Sequence, residues 1–458
     1  MRRPAKENTL EDVEGIVRKA EQEGVTMIRF AYCDLGGVTR CKAVHVSQLA
    51  SKLVEGVSLS RAQMSMNILD ELADVDEMTP VGEIRLVPDL ETFTVSPWVA
   101  ETATVLCNQV DHDRTDWGAC PRAFLADTLD LLAEQGISVR ASVEAEFYLV
   151  GDIDGEPAML PRKPVYSVIG HDAHAAVLLD VVHVLTDQGK EVEQAINEYG
   201  PGQQEVVIRH QPALTAADDF LTLKDVIRGV SRRHGYVASF APKPYLDQMG
   251  SGAHMHLSLW DGNGRNLLHD PEASQGLSDL GRGFIAGLRE HLRALVALTS
   301  PSVNSYHRLT AGAWASSTNA WGFDNREAAI RVASPFYGRE AQTYNIEYKP
   351  MDAAANPYLA FGSILRAGLD GVERGLSLPA PALVDPAKLS AEERSSAGIR
   401  DLPANLGAAL DELATDSVLV DALGPLLYRA FQAVRRSELA AFAEQSVEEQ
   451  LAAHLYKY

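Results

Sequence analysis

Gly250-Ser251-Gly252-Ala253-His254-Met255-His256-Leu257-Ser258 reads as a glycine-rich approach to a β-strand. Side chains alternate along a strand, so His254, His256 and Ser258 share one face. The small residues ahead of them let backbone or ligand come close. Read by itself, the pattern describes an ordinary polar strand face as well as it describes a binding site.

Two further stretches carry the same ambiguity. In Val143-Glu144-Ala145-Glu146-Phe147-Tyr148-Leu149, the apolar residues Val143, Ala145, Phe147 and Leu149 point one way, and Glu144 and Glu146 project together on the other. An isolated pair of this kind is more often a solvated face than a metal site. Glu198-Tyr199-Gly200-Pro201-Gly202-Gln203-Gln204-Glu205 sets two acids at the ends of a Gly/Pro turn, which could fold both carboxylates toward one point or form a plain surface hairpin. His171-Asp172-Ala173-His174 and Asp111-His112-Asp113 have no partner segments and read as loops.

Working outward, Leu10 to Ala20 carries Val13, Ile16, Val17 and Ala20 on one helical face before Gly24. Met27 to Ala31 and Thr39 to Val44 read as a hairpin around Asp34-Leu35-Gly36-Gly37. Pro121 opens a helix with Phe124, Leu125, Thr128, Leu131 and Leu132 on one face, closed by Gly136. Beyond it, short strands and helices alternate without a regular βαβ period, which favours an antiparallel α+β architecture. Residues 377–405 read as a surface connection rich in Pro, Ala and Ser, and residues 406–458 as helical. The organisation expected is a small N-terminal domain over 1–112, with a modest core that leans on something larger, and a catalytic domain over 113–458.

Composition narrows the class. Across 458 residues, 41 Lys and Arg against 63 Asp and Glu give a formal charge of -22. That excess repels phosphate backbones and anionic lipid, so neither nucleic acid nor a membrane is an expected partner. Cys33, Cys41, Cys107 and Cys120 form no CxxC pair and read as free thiols in a reducing compartment. Met1-Arg2-Arg3-Pro4 leads into a charged segment instead of an apolar leader, and no stretch reaches the ~20 apolar residues of a membrane span. A cytoplasmic protein is expected.

Together the segments resemble the glutamine synthetase family. Lys243-Pro244, Gly250-Ser251-Gly252, His254 and Ser258 match its nucleotide-region signature, apart from Met249, where the family has a small or amide residue. The likeness continues through Asn304-Ser305-Tyr306, Arg308-Leu309, Asn325-Arg326, Ile330-Arg331, Ile346-Glu347, Asp352 and Ala354-Ala355-Asn356-Pro357-Tyr358-Leu359. It implies a small β-grasp domain beside a large catalytic domain with a curved antiparallel sheet. It also implies an ATP-dependent carbon–nitrogen ligase and a homo-oligomer of two stacked six-membered rings, a dodecamer.

Carried over residue by residue, the resemblance implies two to three divalent cations per site. Glu146, Glu198 and Glu205 would hold one, and Glu144, His254 and Glu347 another. An oxygen-rich set of this kind suits Mg²⁺ or Mn²⁺. ATP would lie near Glu193, His256 and Ser258, with Arg326 and Arg331 on its phosphates, and glutamate near Gly250, Met249, Arg308 and Lys349. Arg308 is also implied at the reacting centre.

The chain departs from the family where ammonium is handled. Trp314 stands where a flap glutamate is expected, and Glu55-Gly56-Val57-Ser58-Leu59-Ser60-Arg61 lacks the Asp-Gly-Ser-Ser loop that a neighbouring subunit would supply, with Ser60 in the place of its Asp. Asn345 and Lys349 each replace an arginine, and Ile196-Asn197 replaces a His pair. A small cation needs carboxylates around it, whereas an alkyl or aryl amine needs room and apolar or aromatic walls. The swaps resemble the superfamily's γ-glutamylamine ligases, which act on amines such as ethanolamine, polyamines, isopropylamine or aniline. The reading is a γ-glutamyl amide ligase for a small alkyl, hydroxyalkyl or aromatic monoamine. An ammonia-using glutamine synthetase, a γ-glutamylpolyamine synthetase and a catalytically silent relative are the alternatives.

Overall fold

The computed structural model describes residues 8–153 and 156–458. The Met1-Arg2-Arg3-Pro4 start lies outside them. The N-terminal helix Leu10–Gln22 is capped by Thr9, whose side chain accepts from the Asp12 amide. β1 (Met27–Cys33) and β2 (Thr39–His45) form the expected hairpin. β3 (Val57–Ser60), β4 (Glu83–Pro88), β5 (Thr94–Val95) and β6 (Thr102–Val110) complete a six-stranded sheet of order β2-β1-β6-β4-β3, with β5 beside β6. Ser60 thus ends a strand instead of sitting in a loop, because Val57 to Ser60 pairs in register with Leu86 to Glu83.

The second sheet has ten strands and forms the wall of the site. These are β7 (Ser138–Ile153), β8 (Glu156–Met159), β9 (Val192–Asn197), β10 (Gln203–Ile208), β11 (Gln211–Pro212), β12 (Val237–Ser239), β13 (Ala253–Trp260), β14 (Trp321–Phe323), β15 (Ile330–Ala333) and β16 (Asn345–Tyr348). The main order is β14-β15-β16-β13-β7-β10-β9, with β8, β11 and β12 also paired to β7. Pairing is antiparallel except between β14 and β15. The α+β class read from the sequence holds, with that pair and β1–β6 of the N-terminal sheet as its parallel exceptions.

Helices Pro121–Glu134, Ala213–Arg233, Asp279–Thr299 and Pro357–Glu373 bury apolar faces in a core continuous with that of the N-terminal sheet. The N-terminal part does lean on the larger one. Arg122 binds Asp218 and Asp89 across the junction, and Asn356 donates to the Cys33 and Asp34 carbonyls. At Gly37, φ is +79° and a Cβ would lie 2.1 Å from the Ala354 carbonyl oxygen, so the turn admits glycine alone.

The tail is helical, as Leu406–Thr415, Ser417–Leu423, Pro425–Ala443 and Val447–Lys457. The 377–405 connection carries one short helix, Ala391–Ser396. His171-Asp172-Ala173 corrects the loop expectation: it lies in helix Val168–Ala173, started by the Ser167 side chain accepting from the Gly170 amide. All four cysteines are free. Among the described residues no helix is long and apolar enough to cross a membrane.

Candidate active site

Strand register assembles the site. Glu205 on β10 faces Glu146 on β7, Glu144 on β7 faces His254 on β13, and His256 on β13 faces Glu347 on β16, which in turn faces Arg331 on β15. Directly opposed residues on one face have Cβ atoms only ~5 Å apart. Five adjacent strands therefore present acids, imidazoles and the Arg331 guanidinium to a single cavity of about 670 Å³. The Glu198 carboxylate joins them from the turn between β9 and β10.

The glycines of the opening motif are explained by Arg308. A Cβ on Gly250 would lie 2.8 Å from its Cγ, and one on Gly252 2.6 Å from its Nη2. This approach lets Arg308, only 3% exposed, reach the cavity floor. Its Nη2 donates to the Lys349 carbonyl at 3.1 Å and lies 3.2 Å from His254 Nε2, while its buried Nη1 has no partner among the described residues. Burial holds its pKa below the ordinary arginine value. A fork held this way is poised for a carboxylate.

The electrostatics divide the cluster. On one side, burial and the neighbouring charge of Glu146 push Glu198 up to about 7. Burial, with Glu144 and Glu146, pushes Glu205 to about 10. On the other side, burial opposes ionisation of Glu347, but Lys349 and His256 outweigh it and bring the carboxyl down to about 2. Burial also works against a charged His256, and Glu144, with its Oε1 3.0 Å from Nε2, outweighs this to lift the ring to about 9. His254 goes the other way, held low by burial and Lys349.

Glu144, His256 and Glu347 each bring a ligand atom within 4.8 Å of the others. His254 Nδ1 is also 3.4 Å from both Glu144 and Glu347. Both imidazoles thus flank the same pair of acids, whereas the resemblance divides them between cation and nucleotide. The cluster fits divalent cations: acids this crowded otherwise take up protons, and oxygen donors dominate the set.

Other expected residues separate between two adjoining cavities. Met249, Gly250, Lys349, Arg326 and Arg331 line the larger one. Glu193 and Ser258 line the second, about 380 Å³, which shares Glu144, Gln194, His256 and Asn345 with the first. Arg331, expected on phosphate, binds Glu347 through Nε, because cross-strand register sets the two opposite. Ser60 lines neither cavity of its own chain.

Tyr166 and Gln203 are cavity residues that the sequence does not single out. Tyr166, Tyr199 and Trp314 form a continuous aromatic wall, with ring centroids 5.7 Å and 5.4 Å apart and near-perpendicular planes. Trp314 was legible only as a substitution. Tyr166 follows the irregular Leu160–Pro164 stretch and carries no periodic signal. Gln203 donates through Nε2 to Glu146 at 3.2 Å and to the Gly250 carbonyl at 3.0 Å, and its place between Glu198 and Glu205 was the available clue. Asn345 Oδ1 accepts from His256 Nδ1, 2.8 Å away, which gives this departure a role in orienting the ring.

The glutamine synthetase catalytic-domain model matches residues 118–454 and the glutamine synthetase N-terminal-domain model residues 12–117, so the chain belongs to this family. Its class is thereby an ATP-dependent ligase acting on glutamate and an amine or ammonia, chemistry that the sheet-lined cavity of clustered acids, buried arginine and adjoining second chamber suits. Members use ATP and divalent metal ions. The chain is 35% identical over 440 residues to a gamma-glutamylpolyamine synthetase of Streptomyces coelicolor, covering 95% of this chain and 94% of the relative. It is 34% identical to the glutamine synthetase of Methanocaldococcus jannaschii, over 93% of this chain and 94% of that one. Among solved structures it is similar to a novel glutamine synthase homolog (TM-score 0.84, 33% identity, 95% and 99% covered). GmaS in complex with ADP is a further match (TM-score 0.83, 29% identity, 96% and 99% covered).

Proposed function

We propose that the chain forms γ-glutamyl amides from glutamate and a small alkyl, hydroxyalkyl or aromatic monoamine, using ATP. The observation that carries this reading is the Tyr166–Tyr199–Trp314 wall beside the acid cluster, with Trp314 in the place of the family's flap glutamate. Aromatic faces receive alkyl and aryl groups and attract ammonium forms through their ring quadrupole.

Glu146, Glu198 and Glu205 would hold one cation and Glu144, Glu347 and His254 another. Bound there, Mg²⁺ or Mn²⁺ supplies activation of the ATP γ-phosphate and orientation of the glutamate side-chain carboxylate. Arg308 offers its free Nη1 to glutamate, with Lys349 beside it. Arg326 enters from the loop after β14 toward the phosphates, and Glu193, His256 and Ser258 line the nucleotide chamber. The glutamate carboxylate takes the γ-phosphoryl group as ADP leaves. The amine nitrogen then attacks the acyl carbon and phosphate departs. Ring assembly into a dodecamer would bring Ser60 of a neighbouring copy toward this opening, and the four free thiols accord with a cytoplasmic setting.

The test is phosphate release with Mg²⁺, ATP and glutamate across a panel of ammonium, ethanolamine, isopropylamine, aniline and polyamines. Release that needs glutamate and is driven best by a monoamine is expected. Ammonium as the best acceptor at low concentration would return the chain to glutamine synthetase proper, and polyamine preference to the polyamine reading. No release above the ATP blank would favour a silent relative.

A further inference from the structure

The loop that carries Trp314 is held in an unfavourable shape. Trp314 has φ +53° and Ser316 φ +67°, a region that bulky side chains avoid. A backbone like this persists only where surrounding structure over-determines it. Trp314 is 38% exposed, so burial of the indole does not supply that hold.

The Glu327 carboxylate does. Its Oε1 accepts the Trp314 backbone N–H at 3.3 Å, and the Gly312 amide also donates to it. Glu327 is not among the side chains that line the cavity. It is itself anchored: the Glu327 amide donates to Asn325 Oδ1 at 3.1 Å, and Asn325 Nδ2 donates to the Ala382 and Val384 carbonyls at 2.9 and 3.0 Å. A continuous line of contacts thus runs from the 382–384 segment through Glu327 and Trp314 to Tyr199, Tyr166 and Glu198 Oε2, 3.4 Å from the Tyr166 hydroxyl.

Resting on the amine-ligase reading, we infer that Glu327 is a positioning residue that latches the 310–316 loop and so sets the aromatic side of the amine pocket. Glu327 acts through Trp314 and touches neither ATP nor glutamate.

The test uses the full-length protein. Trp314 is one of five tryptophans, so its signal is the difference between each protein and its Trp314→Phe counterpart. In Glu327→Ala, Trp314 quenching by acrylamide is expected to rise about twofold. A lost charge-assisted hydrogen bond corresponds to roughly tenfold in an equilibrium, so the amine KM is expected to rise by about that factor while the KM for ATP and glutamate stay within about twofold. Glu327→Gln keeps an acceptor of the same reach and is expected to restore both readouts. Glu327→Asp keeps the charge but falls short of the Trp314 amide, and is expected to behave like alanine. Unchanged Trp314 quenching and amine KM in both the alanine and aspartate variants would overturn the latch. If the parent turns over no amine, the ligase reading fails, and the quenching series alone still decides whether Glu327 holds the loop.

Discussion

The cavity has two walls built on different physics. The acid wall sits on β7, β10, β13 and β16, where hydrogen-bonded register fixes every side chain against its neighbour. The aromatic wall sits on turns and loops, where Tyr166 and Trp314 both have positive φ and are held by a few contacts. A rigid wall keeps a reaction constant, while a loop wall can change its residues without disturbing the sheet. Most of the proposed cation ligands therefore lie on the first, and the proposed amine contacts on the second.

Breaking the acid wall should have the largest effect. Glu146→Ala removes a proposed cation ligand from a polar cavity, and turnover is expected to fall by roughly a thousandfold, several kcal/mol of transition-state stabilisation, with the thermal midpoint near that of the parent. Unchanged turnover in that variant would refute the assignment. Next comes Arg308→Ala, which takes away the buried fork: glutamate KM is expected to rise about a hundredfold, read by initial rates at saturating ATP and amine. An equal rise for ATP would move Arg308 to the nucleotide.

On the aromatic wall, Trp314→Glu is expected to shift the ratio of kcat/KM for ammonium over monoamine by about tenfold toward ammonium, equivalent to ~1.4 kcal/mol of discrimination. A ratio that stays put would take Trp314 out of the pocket. The smallest effect is expected at the join of the two walls, where the Tyr148 hydroxyl donates to the Met249 carbonyl at 2.6 Å. Tyr148→Phe should lower unfolding stability by ~1 kcal/mol and leave amine preference intact, checked by denaturant titration and the same amine panel.

The two walls also differ in how far they could be read beforehand. Glu144, Glu146, His254 and His256 were legible because a strand repeats every two residues, so spacing along the chain fixes the face. The resemblance then joined segments that periodicity leaves separate. Arg331 marks the limit of that approach: the resemblance puts it on phosphate, and its contact with Glu347 follows only from pairing between β15 and β16. Ser60 shows the same limit, since strand pairing with β4 overrides the loop that the resemblance implies there. Tyr166, Tyr199 and Glu327 come together through turns whose path no periodic pattern encodes.

The most direct test is a structure with Mn²⁺ and methionine sulfoximine phosphate bound, with the metal located by its anomalous signal. Two peaks are predicted, one among Glu146, Glu198 and Glu205 and one among Glu144, Glu347 and His254, both facing the phosphate. Metal bound away from these side chains, or none with the phosphate in place, would contradict the assignment.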